Sequence, residues 1–482
     1  MRLRAALATM SVAALAAGCQ QHRVEQRCGS YPVMGLSLDA TTESYRRAAM
    51  RHELRLQEAL APGFTLRAAA ATADDKRLAR NEVCAVDLYE TGRLIFEHAF
   101  TPAEGASAVR HRVQRGRRGG PETTSCTSCH WRGGPAGAGS IVDDSYLLGD
   151  HDRISSADAR NPPSLAGAGL VQALASEMSA ELAAQREHAV ARARSSGQAV
   201  DVALQAKGVA FGTVTITAQG RMLRSKLEGI DPDLVVRPFG WKGTAATIPE
   251  FIAEATMLHF GVLPASLLAP DAAGRQPLDI ESTEKAELTN GQVIALSVYV
   301  AGLAAPTTIA PLDASGQTTV LADAYVRGRR LFETVGCSSC HQPRLPLRSP
   351  MLTLSAGSVR GPRLDLSRDT ESPQLVRTVD GVYYVDLYSD LKRHDLGAGV
   401  ESKHVQGGIA PRLYLTRPLW GLADSAPYFH DGSAATVDAA IARHNGEAGL
   451  AHDNWDDLSL DDRNALRLFL LSLRRPPGVQ IP

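Results

Sequence analysis

Apolar residues fall at helical spacing in several stretches and alternate in one short stretch. Between Thr41 and Leu60 the positions Tyr45, Ala49, His52 and Leu56 lie three or four apart, which predicts a helix that stops at Pro62-Gly63. From Met178 to Lys207 the mixture of Ala, Glu, Gln and Arg predicts a solvated amphipathic helix. Phe211 to Ala218 (FGTVTITA) alternates like a strand and predicts a small β-hairpin with its neighbours. Two more helices open on capping signals. Thr289-x-x-Gln292 precedes Ile294, Leu296, Val298, Tyr299 and Leu303, and Ser459-x-x-Asp462 precedes Leu466, Phe469, Leu470 and Leu473. Prolines end both, Pro306 in one case and Pro476-Pro477 in the other. The expected fold class is mainly α.

The pattern also repeats. YETGRLIFE, from Tyr89 to Glu97, agrees with YVRGRRLFE, from Tyr325 to Glu333, at Tyr, Gly, Arg, Phe and Glu in register. Each copy is followed by Cys-x-x-Cys-His, first Cys126, Cys129 and His130, then Cys337, Cys340 and His341. In such a motif the thiols form thioethers to haem vinyls and the histidine becomes the proximal iron ligand. A lone copy also fits a loop disulfide or a redox pair, but two copies on one framework point to two covalent c-type haems. A closed zinc site needs four ligands and each cluster offers three, so zinc is the weaker metal. With the capped helices ending each repeat, the expectation is two cytochrome c-like domains, 89–303 and 320–482, each around a covalent haem. The Pro-, Ala-, Thr- and Gly-rich segment 304–319 joins them. The first domain carries an insertion between Glu97 and Cys126, and its WRGGPAGAGS stretch after His130 suits close backbone approach to a flat ligand.

Residues 1–18 hold Arg2 and Arg4, then an apolar run too short to span a bilayer comfortably, and read as an export signal peptide. The run ends Ala-Ala-Gly-Cys, which resembles a bacterial lipoprotein box with a lipid anchor on Cys19; plain secretion is the alternative. The expected location is the periplasm, free or tethered to the outer membrane. Residues 19–88 read as an extension without chemistry. Cys28 and Cys84 remain after the lipobox and haem cysteines are assigned. They form either two buried thiols or one disulfide, the latter stabilising by about 4 kcal/mol in the chain-entropy view and requiring an oxidising compartment.

Lys plus Arg number 51 against 52 Asp plus Glu, a balance that argues against nucleic acid as partner. Basic runs such as Arg115 to Arg118 read as solvated loop, or as a rim for an acidic redox partner. Aromatic residues make up only 5%, which suits small domains whose cores are completed by a large prosthetic group.

APYFHDGSAATVDAAIARH (Ala426 to His444) resembles the bacterial di-haem cytochrome c peroxidases. YSDLKRHDLG (Tyr388 to Gly397), RPLWGL (Arg417 to Leu422) and RPFGWKG (Arg237 to Gly243) resemble their di-haem or thiol oxidoreductase relatives. The likeness spans most of Tyr89 to Leu473 and is more specific in the second module. It implies electron transfer between two haems, with hydrogen peroxide reduced or a substrate oxidised at the first. The donor would be a small redox protein or a quinol-linked carrier. Calcium between the domains occurs in such relatives, although no acidic cluster here identifies a site.

The family's distal ligand to the second haem follows the PYFHDG motif, which implies His444, where peroxidases have Met. No methionine follows Met351, and His394, His404, His430 and His452 compete. Bis-His ligation lowers the potential relative to Met/His, which departs from an ordinary peroxidase and favours a different partner or direction of electron flow. At the first haem, His151 ahead of Arg160-Asn161-Pro162-Pro163 matches the displaceable distal histidine, and a loop histidine is its simpler reading. Trp241 matches the tryptophan between haems, or else is a buried aromatic anchor. Glu250 or Glu254 would serve as the pocket acid or base, though exposed helical glutamates are common. A non-enzymatic electron-transfer cytochrome with two six-coordinate haems is the alternative function.

Overall fold

The computed structural model describes residues 65–106, 123–150, 153–268, 285–309, 320–370 and 375–475. His22, Cys28, His52, the 41–60 helix, the 115–118 basic run and His151 lie outside them. Cys84 is disulfide-bonded.

In chain order the helices are α1 (Leu66–Thr72), α2 (Asp75–Ala79), α3 (Ala85–Glu97), α4 (Ala168–Ser196) and α5 (Ile248–Ala255). They continue with α6 (Asn290–Gly302), α7 (Val320–Thr334), α8 (Val437–Ile441), α9 (Gly449–Asp456) and α10 (Leu460–Leu470). The framework repeat is a repeated helix crossing. In the first module α3 packs on α6, and in the second α7 packs on α10. A Cβ on Gly92 would lie 2.0 Å from the Ala295 carbonyl oxygen, and one on Gly328 would lie 1.9 Å from that of Ala465. Only glycine lets the two backbones come this close. The shared Tyr and Phe clasp one ring of the terminal helix in each module. Tyr89 and Phe96 lie 5.3 and 5.2 Å from Tyr299, and Tyr325 and Phe332 lie 5.9 and 5.4 Å from Phe469. Gly328→Ala should therefore force the crossing apart and cost about 1–3 kcal/mol, read as a lower thermal midpoint of the haem-loaded protein.

The caps form as the sequence requires at α6, where Thr289 and Gln292 complete a capping box. At α10 Ser459 accepts from the Asp462 amide. α1 and α2 lie against the start of α6. Gln292 Nε2 donates to the Leu66 carbonyl (2.7 Å), and the Gly291 amide donates to Asp75 Oδ1 (2.7 Å).

Helix and strand are mixed, so "mainly α" is corrected. The expected hairpin is a three-stranded antiparallel sheet of Val200–Ala206, Val209–Ile216 and Met222–Leu227. A further hairpin pairs Met351–Ala356 with Val359–Asp365, burying Leu352, Leu354 and Ala356 on one face. The long helix differs too. α4 begins ten residues earlier than Met178, buries Leu174, Met178, Leu182, Ala189 and Ala193, and ends at Gly197, whose φ of 66° suits glycine. Its polar composition hid a packed stripe of small and apolar residues.

The modules interlock. Leu473–Arg474, at the end of the second, pairs antiparallel with Thr307–Thr308, just after the first. The second module's hairpin contributes Leu352, Leu354 and Leu364 to the core that contains Tyr89 and Tyr299. Lys242 is fully buried, and its Nζ donates to the Ala410, Pro411 and Leu413 carbonyls while lying 3.5 Å over the Tyr414 ring. Further backbone bonds run from Asn161 N to His430 O (2.7 Å) and from Leu415 N to Trp241 O (3.1 Å).

Candidate functional site

Both Cys-x-x-Cys-His motifs wind as one tight turn, Cys126–Ser128 and Cys337–Ser339. The turn brings each histidine amide back onto its first cysteine carbonyl, 2.9 Å in both modules. All four cysteines are free thiols. Burial pushes the Cys126 thiol up to about 12 and the Cys337 thiol up to about 11, so both stay protonated near neutrality.

The histidines are oriented alike. Nδ1 of His130 lies 3.0 Å from the Gly137 carbonyl oxygen, and Nδ1 of His341 lies 3.1 Å from that of Tyr388. A carbonyl only accepts, so Nδ1 carries the proton and Nε2 keeps its lone pair. Burial holds both rings down to about 4, which keeps them neutral as a metal requires. The glycine stretch after His130 serves this contact. A Cβ at Gly137 would lie 1.9 Å from the Arg132 carbonyl oxygen, so glycine lets the loop curl back beneath the ring.

One cavity of about 650 Å³ is lined by Cys126 and His130 from the first module and by Cys337, Cys340 and His341 from the second. Trp241 also lines it, with Nε1 donating to the Asn161 carbonyl (2.8 Å). Asn161 is fixed in turn, donating from Nδ2 to Asp144 Oδ1 (2.8 Å) and to the Ser140 carbonyl (3.0 Å). The RNPP segment thus seats the indole between modules.

His444 lines the same cavity. Thr436 caps α8 by accepting from the Ala439 amide, and the turn after Ile441 carries His444 back so that Nδ1 meets the Ala440 carbonyl oxygen at 2.8 Å. That bond fixes the tautomer and leaves Nε2 as a donor to metal. Burial pushes its pKa down, and its charge in turn would oppose that of His341. Of the competing histidines, of which His394, His430 and His452 also line the cavity, His394 has both nitrogens bonded and the other three use Nε2, the nitrogen His444 leaves available. His394 uses Nε2 on Asp390 (2.8 Å) and Nδ1 on Glu447 (2.6 Å). His404 Nε2 meets the Ser156 carbonyl oxygen, His430 Nε2 meets the Tyr414 hydroxyl, and His452 pairs with Asp456.

Residues 312–473 match the family model described as "Di-haem oxidoreductase, putative peroxidase". Over these residues, about a third of the chain, the sequence is similar to that family. A search of curated proteins finds no match. Among solved structures the chain is similar to hydrazine synthase of Kuenenia stuttgartiensis, at 17% identity and a TM-score of 0.34, covering 80% of this chain and 87% of that one. It is also similar to a MauG-like protein associated with microbial copper homeostasis, at 16% identity and a TM-score of 0.34, covering 81% and 89%.

Several expected residues stand elsewhere. Glu250 is exposed and closes the cap of α5, accepting from the Ala246 and Thr247 amides (2.8 and 3.3 Å), which corrects its reading as a pocket acid. Neither it nor Glu254 lines the cavity. Among the described residues no acidic cluster emerges for calcium. Among the described residues the one group with metal-ligand geometry is Cys340, Asp390 and His394, within 4.8 Å of one another. That group needs the Cys340 thiol, which a thioether would consume, and His394 already has two carboxylates.

His259 was missed. It sits on a π-helical turn, Thr256–Phe260, that continues α5, and Ile252, Ala255, Thr256 and Phe260 of this segment line the cavity. After burial and the Gly137 contact, its charge is the next influence on His130 and opposes protonation there. The signal was present as a histidine three residues past Thr256 on one helix face, and π-turns of this kind recur at functional sites. Among the described residues no helix is long and apolar enough to cross a membrane.

Proposed function

We propose that the protein is an exported oxidoreductase carrying two covalent c-type haems, which passes electrons from the second haem to the first and reduces peroxide, or oxidises an external substrate, there. The observation that carries this reading is the single cavity shared by both Cys-x-x-Cys-His motifs and Trp241. Haem supplies one-electron transfer and, where a coordination position opens, peroxide chemistry; the protein sets ligation, access and potential. Cys126 and Cys129 would anchor one macrocycle and Cys337 and Cys340 the other. With Nδ1 held on backbone carbonyls, His130 and His341 would each supply Nε2 to an iron, and His444 would supply the second nitrogen at the His341 site. At the first iron His151 is the proposed displaceable ligand, and His259, on the π-turn whose Thr256 and Phe260 line the cavity, is a second candidate. Export as a lipoprotein on Cys19 belongs to the same proposal, since thioether attachment and the Cys84 disulfide both suit an oxidising compartment.

Mass spectrometry of protein matured with a haem-attachment system should show the added mass of two haems, lost one at a time in Cys126→Ala and Cys337→Ala. Unmodified wild-type chain would sink the reading. Trp241→Phe should slow electron transfer between haems at least tenfold while leaving both absorption spectra in place, measured by flash photolysis of the half-reduced protein. Equal rates would return Trp241 to the role of a packing anchor.

A further inference from the structure

The cavity is poor in charge, and its guanidinium is not paired with its one carboxylate, which His394 takes. Of its lining side chains, Glu447 is the acidic one and Arg417 the guanidinium. Glu447 is taken by His394 Nδ1 (2.6 Å) and the Asp395 amide (2.8 Å). Arg417 has no hydrogen bond or ion pair from its side chain among the described residues; its recorded contact is the face of Trp241, 5.4 Å from the ring centre. Withdrawal from water pushes its pKa down to about 10, and no acid offsets that burial. It therefore stays charged near neutrality.

Other sheltered arginines of the fold do not resemble it. Arg93 bonds Glu90 and Glu97, Arg237 bonds Asp231 and Asp233, and Arg393 bonds Asp231. Arg160 is held by Ser402 and Gln406 beside Asp158. A cation withdrawn from water without a counter-charge is costly, so a lone one facing a cavity marks the place of an anion that the polypeptide does not supply. The geometry also limits that anion. It must enter a largely apolar space, near Trp241, and a planar guanidinium selects a carboxylate or another oxyanion that can take two parallel bonds. A haem tethered through its vinyl edge carries carboxylates on its opposite edge.

We propose that Arg417 holds a haem propionate where the two haem sites meet, and through its place on Trp241 tunes the haem at that end of the electron path. This rests on the di-haem reading above. Arg417 is a positioning residue that acts on potential, with no step of chemistry assigned to it. A cation beside the macrocycle favours the ferrous state, and pairing keeps the propionate ionised through the mildly acidic range.

The test uses haem-loaded wild type, Arg417→Gln and Arg417→Lys, each first weighed for two haems, then titrated potentiometrically from about pH 5 to about pH 8, a span chosen around ordinary carboxylate and histidine pKa values. In Arg417→Gln one haem should lose potential, equivalent to roughly a tenfold change in its ferrous-to-ferric ratio at fixed poise, the effect of a unit charge about 10 Å away at intermediate dielectric. Its potential should also gain a slope with pH as the released propionate titrates. Arg417→Lys should restore most of the potential. Two haems with potentials and pH profiles matching wild type in Arg417→Gln would overturn the proposal, as would the same effect from an added small anion that exchanges freely. If Arg417→Gln does not assemble, an Arg417→Lys protein with unaltered potentials at every pH and phosphate concentration supports the pairing, and one whose potential follows phosphate concentration overturns it. A wild-type chain without two haems would defeat the di-haem reading itself, an outcome distinct from unchanged potentials in a loaded protein.

Discussion

Replacing His444 by alanine should convert one low-spin haem to high-spin and raise its reduction potential, because the ferric iron loses a donor nitrogen. The expectation rests on four features met in one side chain. His444 lines the shared cavity, its Nδ1 is spent on the Ala440 carbonyl so that Nε2 stays available, it lies within electrostatic reach of His341, and the competitors spend Nε2, His394 spending both nitrogens. Absorption and paramagnetic resonance spectra of the oxidised protein measure the change. His394→Ala should leave the spin state alone. If His444→Ala keeps both haems low-spin, the ligand is another residue and the bis-His assignment falls.

The second large effect concerns reactivity at the first haem. Oxidised wild type should react slowly with hydrogen peroxide, half-reduced protein at least a hundredfold faster, and His151→Ala fast without prior reduction, since opening a blocked coordination position removes a gating step. His259→Ala separates the two candidate histidines. Should it alone open the site, His259 is the distal ligand and His151 a loop residue; should it leave ligation intact but slow the peroxide reaction, it acts as proton donor or acceptor. Stopped-flow absorption distinguishes these outcomes. Equal inertness in every state would favour an electron carrier with two six-coordinate haems.

Local chemistry was legible where it depends on contiguous residues. The Cys-x-x-Cys-His turns and the Thr289 capping box are each written within a few residues and take the geometry their spacing implies, whereas the helix that Thr436 caps stops at Ile441 and a turn, not a helix, brings His444 to the cavity. The Gly in the nine-residue framework was visible as a repeat, but its reason lies some two hundred residues away in the first module, at Ala295. Strand content was under-read because MLTLSA, from Met351 to Ala356, alternates over too few residues to stand out beside glycine and polar neighbours, although Leu352, Leu354 and Ala356 all point inward. Glu250 misled because a capping glutamate and a catalytic one share the same place in sequence, three residues after a threonine. Arg417 could not be singled out at all. Its significance is the absence of an acid around it, which only the folded chain reveals.

The pairing of the last strand, Leu473–Arg474, with Thr307–Thr308 bears on how such a protein can change over generations. A duplicated module normally becomes a unit that can be copied, swapped or lost alone. Here the second copy lends its hairpin to the first copy's core, the first lends Lys242 and Trp241 to the second, and the chain's end is stitched to the middle. Recombination at the 304–319 segment would cut none of the motifs yet would strand both halves. Either half alone would leave Lys242, Trp241 and the hairpin at 351–365 without the partners they have here.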